Sequence, residues 1–291
     1  MSEFKTIGVV VKTDSQQAPS VGCRLLDDLR SRGLPTRLDR DSAALLQGET
    51  SSLSIADLGQ HCDLVIVMGG DGTLLHAGRA LAASGVPLLG VNLGRLGFMV
   101  DIAPQDISDS LSRILDGAYR VEERLILEAR DAAGEHPAQI AINDVVVRHQ
   151  RYVRMLDFST YADSTFISQH RADGIIVSTP TGSTAYALSS GGPMMHPSLD
   201  AMALVPISPH TLSDRPLMLP ASTELTVDIA NDPDNPALFT CDGQKDSHLP
   251  PGGKLVIRRS ALSMRLVHPT DYDYFGILRS KLHWGRNRND A

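Results

Sequence analysis

Cysteine is scarce. The 291 residues hold three, Cys23, Cys62 and Cys241, odd in number and far apart. That excludes a disulfide framework and fits a reducing compartment. No CxxC, HExxH or Walker A pattern occurs, and no Asn-x-Ser/Thr sequon. No apolar run reaches the roughly 18 residues of a membrane-spanning helix, and the run at residues 7–11 is too short for a signal-peptide core. Basic charge is also short: 27 Lys and Arg face 34 Asp and Glu, for a net charge of −7. A general nucleic-acid binder normally carries the opposite sign. The remainder is ordinary, 42% hydrophobic and 21% charged, which excludes global disorder. The length suits two domains. The expectation is a cytoplasmic globular protein with neither a membrane nor a nucleic acid as partner.

Periodicity divides the chain in two. Residues 6–11 are a β-branched run suited to a buried parallel strand. Residues 20–32 space Val21, Leu25, Leu26 and Leu29 as a helix does, and Gly33 stops it. Strand-like runs at 64–68 and 87–91 alternate with helix-like runs at 74–83 and 102–115. The alternation predicts an α/β domain with a parallel sheet over residues 1–118. From Tyr119 the runs become short and strand-like, at 125–129, 140–147, 155–161, 174–178, 223–229, 254–257 and 264–267. Turn residues such as Asn231-Asp232-Pro233 separate them, which predicts a mainly β domain over 119–268. A last helix is expected at 272–284, packing back on the first domain with residues 269–291, and the polar tail 286–291 is expected to fray.

The most informative local feature is Gly69-Gly70-Asp71-Gly72-Thr73. It follows the strand at 64–68 and precedes a helix, at the carboxyl end of a parallel strand where open α/β sheets bind ligands. Gly69, Gly70, Gly72 and Thr73 suit a phosphate cradle, because glycine lets backbone N–H groups approach an anion and a helix N-terminus stands behind them. Asp71 is the odd member, since a carboxylate repels a phosphate. It points to metal coordination or to proton abstraction from a hydroxyl. A lone Asp-Gly would read as a helix-capping turn; the whole pentapeptide after a buried strand does not.

Two further segments carry chemistry. Asn143-Asp144 places adjacent polar residues in an apolar strand, so one of them faces a buried or ligand-lined side; a bulge or an edge strand explains the dipeptide equally well. Residues 174–199 carry no Asp, Glu, Lys or Arg, and 15 of these 26 residues are Gly, Pro, Ser or Thr. Inside this stretch, Ser178-Thr179-Pro180-Thr181-Gly182-Ser183-Thr184-Ala185-Tyr186 can set hydroxyls and N–H donors around a polar ligand, with Tyr186 against a ring or ribose.

The pentapeptide resembles one shared by NAD kinases, diacylglycerol-type lipid kinases and, more loosely, phosphofructokinases. Asn143-Asp144 about 70 residues on and the run from Asp173 to Pro193 make the resemblance specific to the NAD kinase family, over roughly residues 60–245 and closest to bacterial members. The loop from Gly90 to Phe98 and Asp242-Gly243-Gln244 are similar to further family segments. The resemblance implies an α/β domain, a sandwich-like β domain and a C-terminal segment returning to the first. It implies phosphoryl transfer from ATP, or another donor, to the 2′-hydroxyl of the adenosine ribose of NAD, with Mg²⁺ or a similar divalent cation whose ligands stay unassigned. It makes Asp71 the base. It places Gly72, Phe98, Asn143, Asp144, Arg154, Arg171, Asp173 and Gln244 at NAD, with Thr184, Ala185, Tyr186, Ala187, Leu188 and Ser189 lining the nucleoside pocket. It also implies a homodimer or homotetramer. Asn143-Asp144 stands where the family often has Asn-Glu, so the reach of that acid differs. No GxGxxG exists, and Gly90, Gly94 and Gly97 are wrongly spaced for the dehydrogenase fingerprint. A lipid or sugar kinase sharing the turn, and a non-catalytic dinucleotide sensor, are the competing readings. Three arginines in seven residues, Arg148, Arg151 and Arg154, with His149, form a basic cluster that a solvated hairpin also explains.

Overall fold

A computed structural model of the chain describes residues 4–46, 53–94, 96–151, 154–211 and 213–283. It divides into two compact units, one built from residues before Arg124 and from Met264 onward, the other from Arg124–Ser263. In chain order the first unit holds β1 (Ile7–Val11), α1 (Ala18–Ser31), β2 (Thr36–Leu38), α2 (Arg40–Leu46), α3 (Ile55–His61), β3 (Leu64–Gly69), α4 (Asp71–Leu81), β4 (Leu88–Asn92) and α5 (Ile107–Leu115). β5 (Tyr119–Asp131) runs on into the second unit, followed by β6 (Gln139–Ala141), β7 (Asp144–His149), β8 (Leu156–Ala162), β9 (Thr165–Ala172) and β10 (Gly174–Ser178). Then come a 3-10 turn, α6 (Tyr186–Ser189), β11 (Ala201–Ile207), β12 (Leu217–Pro220), β13 (Leu225–Ile229), β14 (Ala237–Cys241) and β15 (Ser247–Leu249). β16 (Lys254–Pro269) runs back into the first unit, which ends on α7 (Tyr274–Leu282).

The first unit is α/β. Its strands β2-β1-β3-β4 are parallel, and the end of β16 joins beside β4 with Leu266 opposite Leu88. Strands buried on both faces need uniform apolar character, and β1 and β3 have it. Ile7, Val9, Leu64, Ile66 and Met68 share one cluster with Val21, Leu25 and Leu29 of α1. α3 starts on a capping box in which Ser54 and Asp57 exchange hydrogen bonds.

The second unit is largely β. One sheet runs β12-β11-β10-β7-β14-β15, and a second layer brings β13, β8, β9 and parts of β5 and β16. Val145, Val147, Ile175, Val177 and Phe239 of the first layer pack with Phe158, Leu225, Val227 and Ile257 of the other, the core of a sandwich. The outer face of β10 is covered too. Ile176 packs with Ala187 and Met195 from the segment around α6, so Gly174–Ser178 is buried at every position.

Several expectations change. Residues 140–147 are not one strand; β6 ends at Ala141 and β7 begins at Asp144. Residues 254–257 and 264–267 belong to a single 16-residue strand whose polar middle hides its continuity. The helix after the glycine turn begins at Asp71, three residues before Leu74. The helix at 102–115 starts only at Ile107. The tail 286–291 and the predicted helix end at Trp284 lie outside the described residues.

Candidate functional site

In the first unit β3 ends at Gly69 and α4 begins at Asp71, so Gly70 alone makes the strand-to-helix turn. Gly70 is extended, with φ −112° and ψ −174°, and no side chain caps the helix. A helix N-terminus left open in this way favours an anion. The glycines differ in what they permit. A Cβ on Gly69 would run into the Thr73 side chain, whereas one on Gly70 or Gly72 would meet open space. Those two leave room for something outside the chain to approach the backbone.

Asp71 is held on both oxygens. Phe98 N–H donates to Oδ2 at 2.9 Å and Met99 N–H to Oδ1 at 3.0 Å. The carboxylate is therefore turned toward a backbone loop, which answers the objection that it would repel a phosphate in its own cradle. Gly97 is required here: a Cβ would collide with the Asp71 carboxylate and with Val100. The loop is closed at its base, where Asn92 N–H donates to the Ile102 carbonyl at 2.8 Å. The Asn92 side chain accepts from Gly94 N–H at 2.8 Å and donates to the Gly94 carbonyl at 3.1 Å. Phe98 is half-buried, and Lys281 Nζ lies 5.1 Å from its ring centroid. Arg95, in the same loop, lies outside the described residues.

In the second unit the Asn143-Asp144 pair sits at the break between β6 and β7. One carboxylate organises it. Asp242 accepts from the N–H of Ile142 at 2.9 Å, Asn143 at 2.7 Å and Asp144 at 3.1 Å. Three consecutive N–H groups aimed at one side chain cannot also alternate along a ladder, which is why the strand breaks. The Asn143 carbonyl accepts from Thr179 N–H at 2.8 Å, and a Cβ on Gly182 would collide with the Asn143 backbone. Thr179 Oγ1 donates to the Ile142 carbonyl at 2.6 Å and accepts from Gly182 N–H at 3.0 Å. Thus the hydroxyl-rich loop and the Asn-Asp turn form one rigid piece, and Ser178, Thr179 and Ser183 are fully buried. Asn143 Oδ1 is buried with no protein partner in the structure.

The remaining expected residues separate by exposure. Tyr186 is 46% exposed, at the start of α6. Thr184, Ala185 and Leu188 are half-buried and Ser189 is exposed. Ala187 is in the core at 1% exposure, so its side chain lines nothing. Arg154, Arg171, Asp173 and Gln244 are exposed, and Gln244 follows directly on the Asp242-Gly243 turn. The basic cluster does not persist as a patch. Arg148 pairs with Asp246 at 2.9 Å, and His149 is buried, its Nδ1 accepting from Arg151 N–H at 2.9 Å.

A family model of the ATP-NAD kinase N-terminal domain matches residues 7–119, and one of the ATP-NAD kinase C-terminal domain matches residues 142–269. The chain belongs to the NAD kinase family. An NAD kinase of Nitrosococcus oceani is 43% identical over 286 residues, spanning 97% of this chain and 98% of that protein. One of Pseudomonas fluorescens is 42% identical over 293 residues, spanning 98% and 97%. Among solved structures, the fold is similar to yeast NADH kinase complexed with NADH, with a TM-score of 0.87 at 23% identity over 97% of this chain and 89% of that one. It is also similar to an NAD kinase from Archaeoglobus fulgidus in complex with ATP, with a TM-score of 0.77 at 25% identity over 96% and 98%.

Within this NAD kinase family chain, Asp144 has the most displaced acidity. It is 5% exposed, and burial, reinforced by the nearby Asp242, pushes its carboxyl up to about 7. The folded state therefore favours the neutral acid, while the unfolded chain ionises near its ordinary 3.8. The stability contributed by this one group is full below that value, falls as pH rises between the two, and is gone once pH passes the folded value. The shift corresponds to roughly 4 kcal/mol. Asp144→Asn, which stays neutral, is expected to match the wild type in urea unfolding at about pH 4 and to exceed it by up to about 4 kcal/mol near pH 8. Equal midpoints at both pH values would remove Asp144 as a buried acid.

Sequence reasoning missed Asp242 as the clamp of the Asn-Asp turn, and Gly97 and Gly182 as close-approach positions. The doublet Asp242-Gly243 was a usable signal, since both residues take positive φ, 52° and 63°. The glycine turn brings one carboxylate, Asp71. Among the described residues, the group close enough to hold a metal ion is Asp131, Glu135 and His136 in the second unit. The donor set at the turn fits Mg²⁺, which keeps several waters and takes one or two carboxylates together with substrate phosphate oxygens.

Proposed function

We propose that the chain transfers the terminal phosphoryl group of ATP to the 2′-hydroxyl of the adenosine ribose of NAD, giving NADP and ADP. The observation that carries the reading is the fixed Asp71 carboxylate, at a helix N-terminus beside two glycines whose missing side chains leave open space. The ribose oxygen bonds to phosphorus, the bond from phosphorus to the bridging oxygen of ADP breaks, and the hydroxyl proton passes to Asp71. A carboxylate is too weak a base to deprotonate a sugar hydroxyl in advance. In a loose transition state it suffices to orient the hydroxyl and accept its proton late. Asp71 does this with its rotamer fixed by two N–H donors, each oxygen keeping a lone pair for the substrate. A divalent cation held by the donor phosphates would neutralise charge on the moving group.

In the same reading, Phe98, Asn143, Asp144, Arg154, Arg171, Asp173, Tyr186 and Gln244 hold the dinucleotide, and the arginines meet its diphosphate. The orphaned Asn143 Oδ1 supports this, because a buried acceptor lacking a protein donor is completed by a ligand or water. Assembly into two or four copies and a cytoplasmic setting belong to the same reading. The deciding measurement incubates purified protein with NAD, or NADH, and Mg²⁺, against a panel of ATP, other nucleoside triphosphates and polyphosphate. NADP formation is the expected result. Dinucleotide binding without product would favour a sensor, and no dinucleotide binding a different kinase.

A further inference from the structure

His268 is 1% exposed, near the end of β16, in a position where an aliphatic side chain would pack at lower cost. Burying an imidazole is unfavourable unless its nitrogens find partners. Here they face two carboxylates. Nδ1 lies 3.3 Å from Asp101 Oδ2, within hydrogen-bond reach, whereas Nε2 lies 3.8 Å from Glu122 Oε2 and makes no hydrogen bond, so Asp101 is the contact that holds the ring. The ring stacks on Tyr272 with centroids 3.9 Å apart, and the Arg120 guanidinium lies 4.8 Å from the Tyr272 ring centroid on a residue that also pairs with Glu122. All of these belong to the first unit.

Asp101 is the informative partner. It ends the loop that leaves β4 at Asn92 and closes beside it at Ile102. The middle of this loop supplies the Phe98 and Met99 N–H groups that hold Asp71. The loop lies directly on β4, since a Cβ on Gly90 would come within 2.8 Å of Val100. Among the described residues its attachments include the bond at its base, the Leu93 N–H bond to the Gly69 carbonyl at 3.1 Å, packing on Gly90, the two bonds to Asp71 and the His268–Asp101 contact. That contact comes from a strand in register beside β4, with Leu266 opposite Leu88 and Val267 opposite Leu89.

We propose that His268 is a positioning residue for phosphoryl transfer. Through Asp101 it fixes the loop whose Phe98 and Met99 N–H groups aim the Asp71 carboxylate. The inference rests on the reading of Asp71 as the group that takes the hydroxyl proton. Misplacing a reacting group by about 1 Å costs up to ~100-fold in rate without a matching loss in binding.

The test is steady-state kinetics on the full chain with NAD and ATP. His268→Leu is expected to lower kcat about tenfold or more while both KM values stay within about twofold. His268→Asn, whose amide can place a donor where Nδ1 stands, is expected to return kcat to within about threefold of wild type. Asp101→Ala should reproduce the His268→Leu loss, and the double variant should add little to either, as for two members of one contact. Asp101→Ala also carries the test if His268→Leu fails to fold. Unchanged kcat in the Leu and Ala variants, or equal losses in Leu and Asn, would overturn the proposal. If the wild type makes no NADP, the functional reading falls; if Asp71→Asn is inactive while the His268 and Asp101 variants are normal, only this inference falls.

Discussion

Asp71→Asn is expected to lower kcat by about 10² to 10⁴, the range that positioned general bases contribute. Binding of NAD measured by calorimetry should largely persist, because apart from Phe98 the residues proposed to hold the dinucleotide lie outside the loop that Asp71 contacts. Two losses combine in this variant. The amide cannot accept the hydroxyl proton, and its NH₂ must face either Phe98 N–H or Met99 N–H, where the carboxylate accepted from both. A donor set against a donor leaves an N–H unpaired at a cost of about 1–3 kcal/mol, so the loop shifts as well. Asp71→Glu separates the two. It keeps the acid but lengthens it, where Gly97 already has no room for a single added carbon. A Glu variant as slow as Asn would mean that placement matters as much as basicity. A kcat within about threefold of wild type in Asp71→Asn would take Asp71 out of the base role, since that is far below any general-base contribution.

The legible parts were those whose signal is local. Gly69 to Thr73 announced a strand-to-helix turn because glycine punctuation and a helix start lie within five residues. Gly174–Ser178 was read to the residue, since a strand buried on both faces must be apolar throughout. What escaped depends on distant partners. Nothing near Asn143 says that a carboxylate 99 residues away would break its strand. The polar run of β9 hides an edge strand whose outer positions are solvated. β11 carries Pro206, which argues against a central strand. It is tolerated because β12 pairs only with Ala201 to Leu204, so the missing N–H falls beyond that neighbour. The same logic kept His268 out of view, since a lone histidine in an apolar run gains meaning only when Asp101 and Glu122 are beside it.

Asp242→Ala is expected to be the most destabilising single change in the second unit. It strands three neighbouring N–H groups, of Ile142, Asn143 and Asp144, in a place where Ile142 and Asp144 are buried. At about 1–3 kcal/mol for each of the two buried donors left without an acceptor, with water reaching Asn143, the loss should total about 2–6 kcal/mol in urea unfolding. That approaches the whole stability of an ordinary domain. Two companion variants test the cause. Asp242→Asn keeps an oxygen for Asn143 and Asp144 and gives up only the bond to Ile142, so it should cost about 1–3 kcal/mol. Asp242→Gly loses the same three bonds as Ala but relieves the positive φ of 52°, so the Ala–Gly difference reads that strain less the entropy glycine adds to the unfolded chain. Removing the Asp242 charge should also lower the Asp144 carboxyl only in part, because burial is the larger cause of its displacement. If Ala cost no more than Asn, the three-donor clamp would not be what holds this turn.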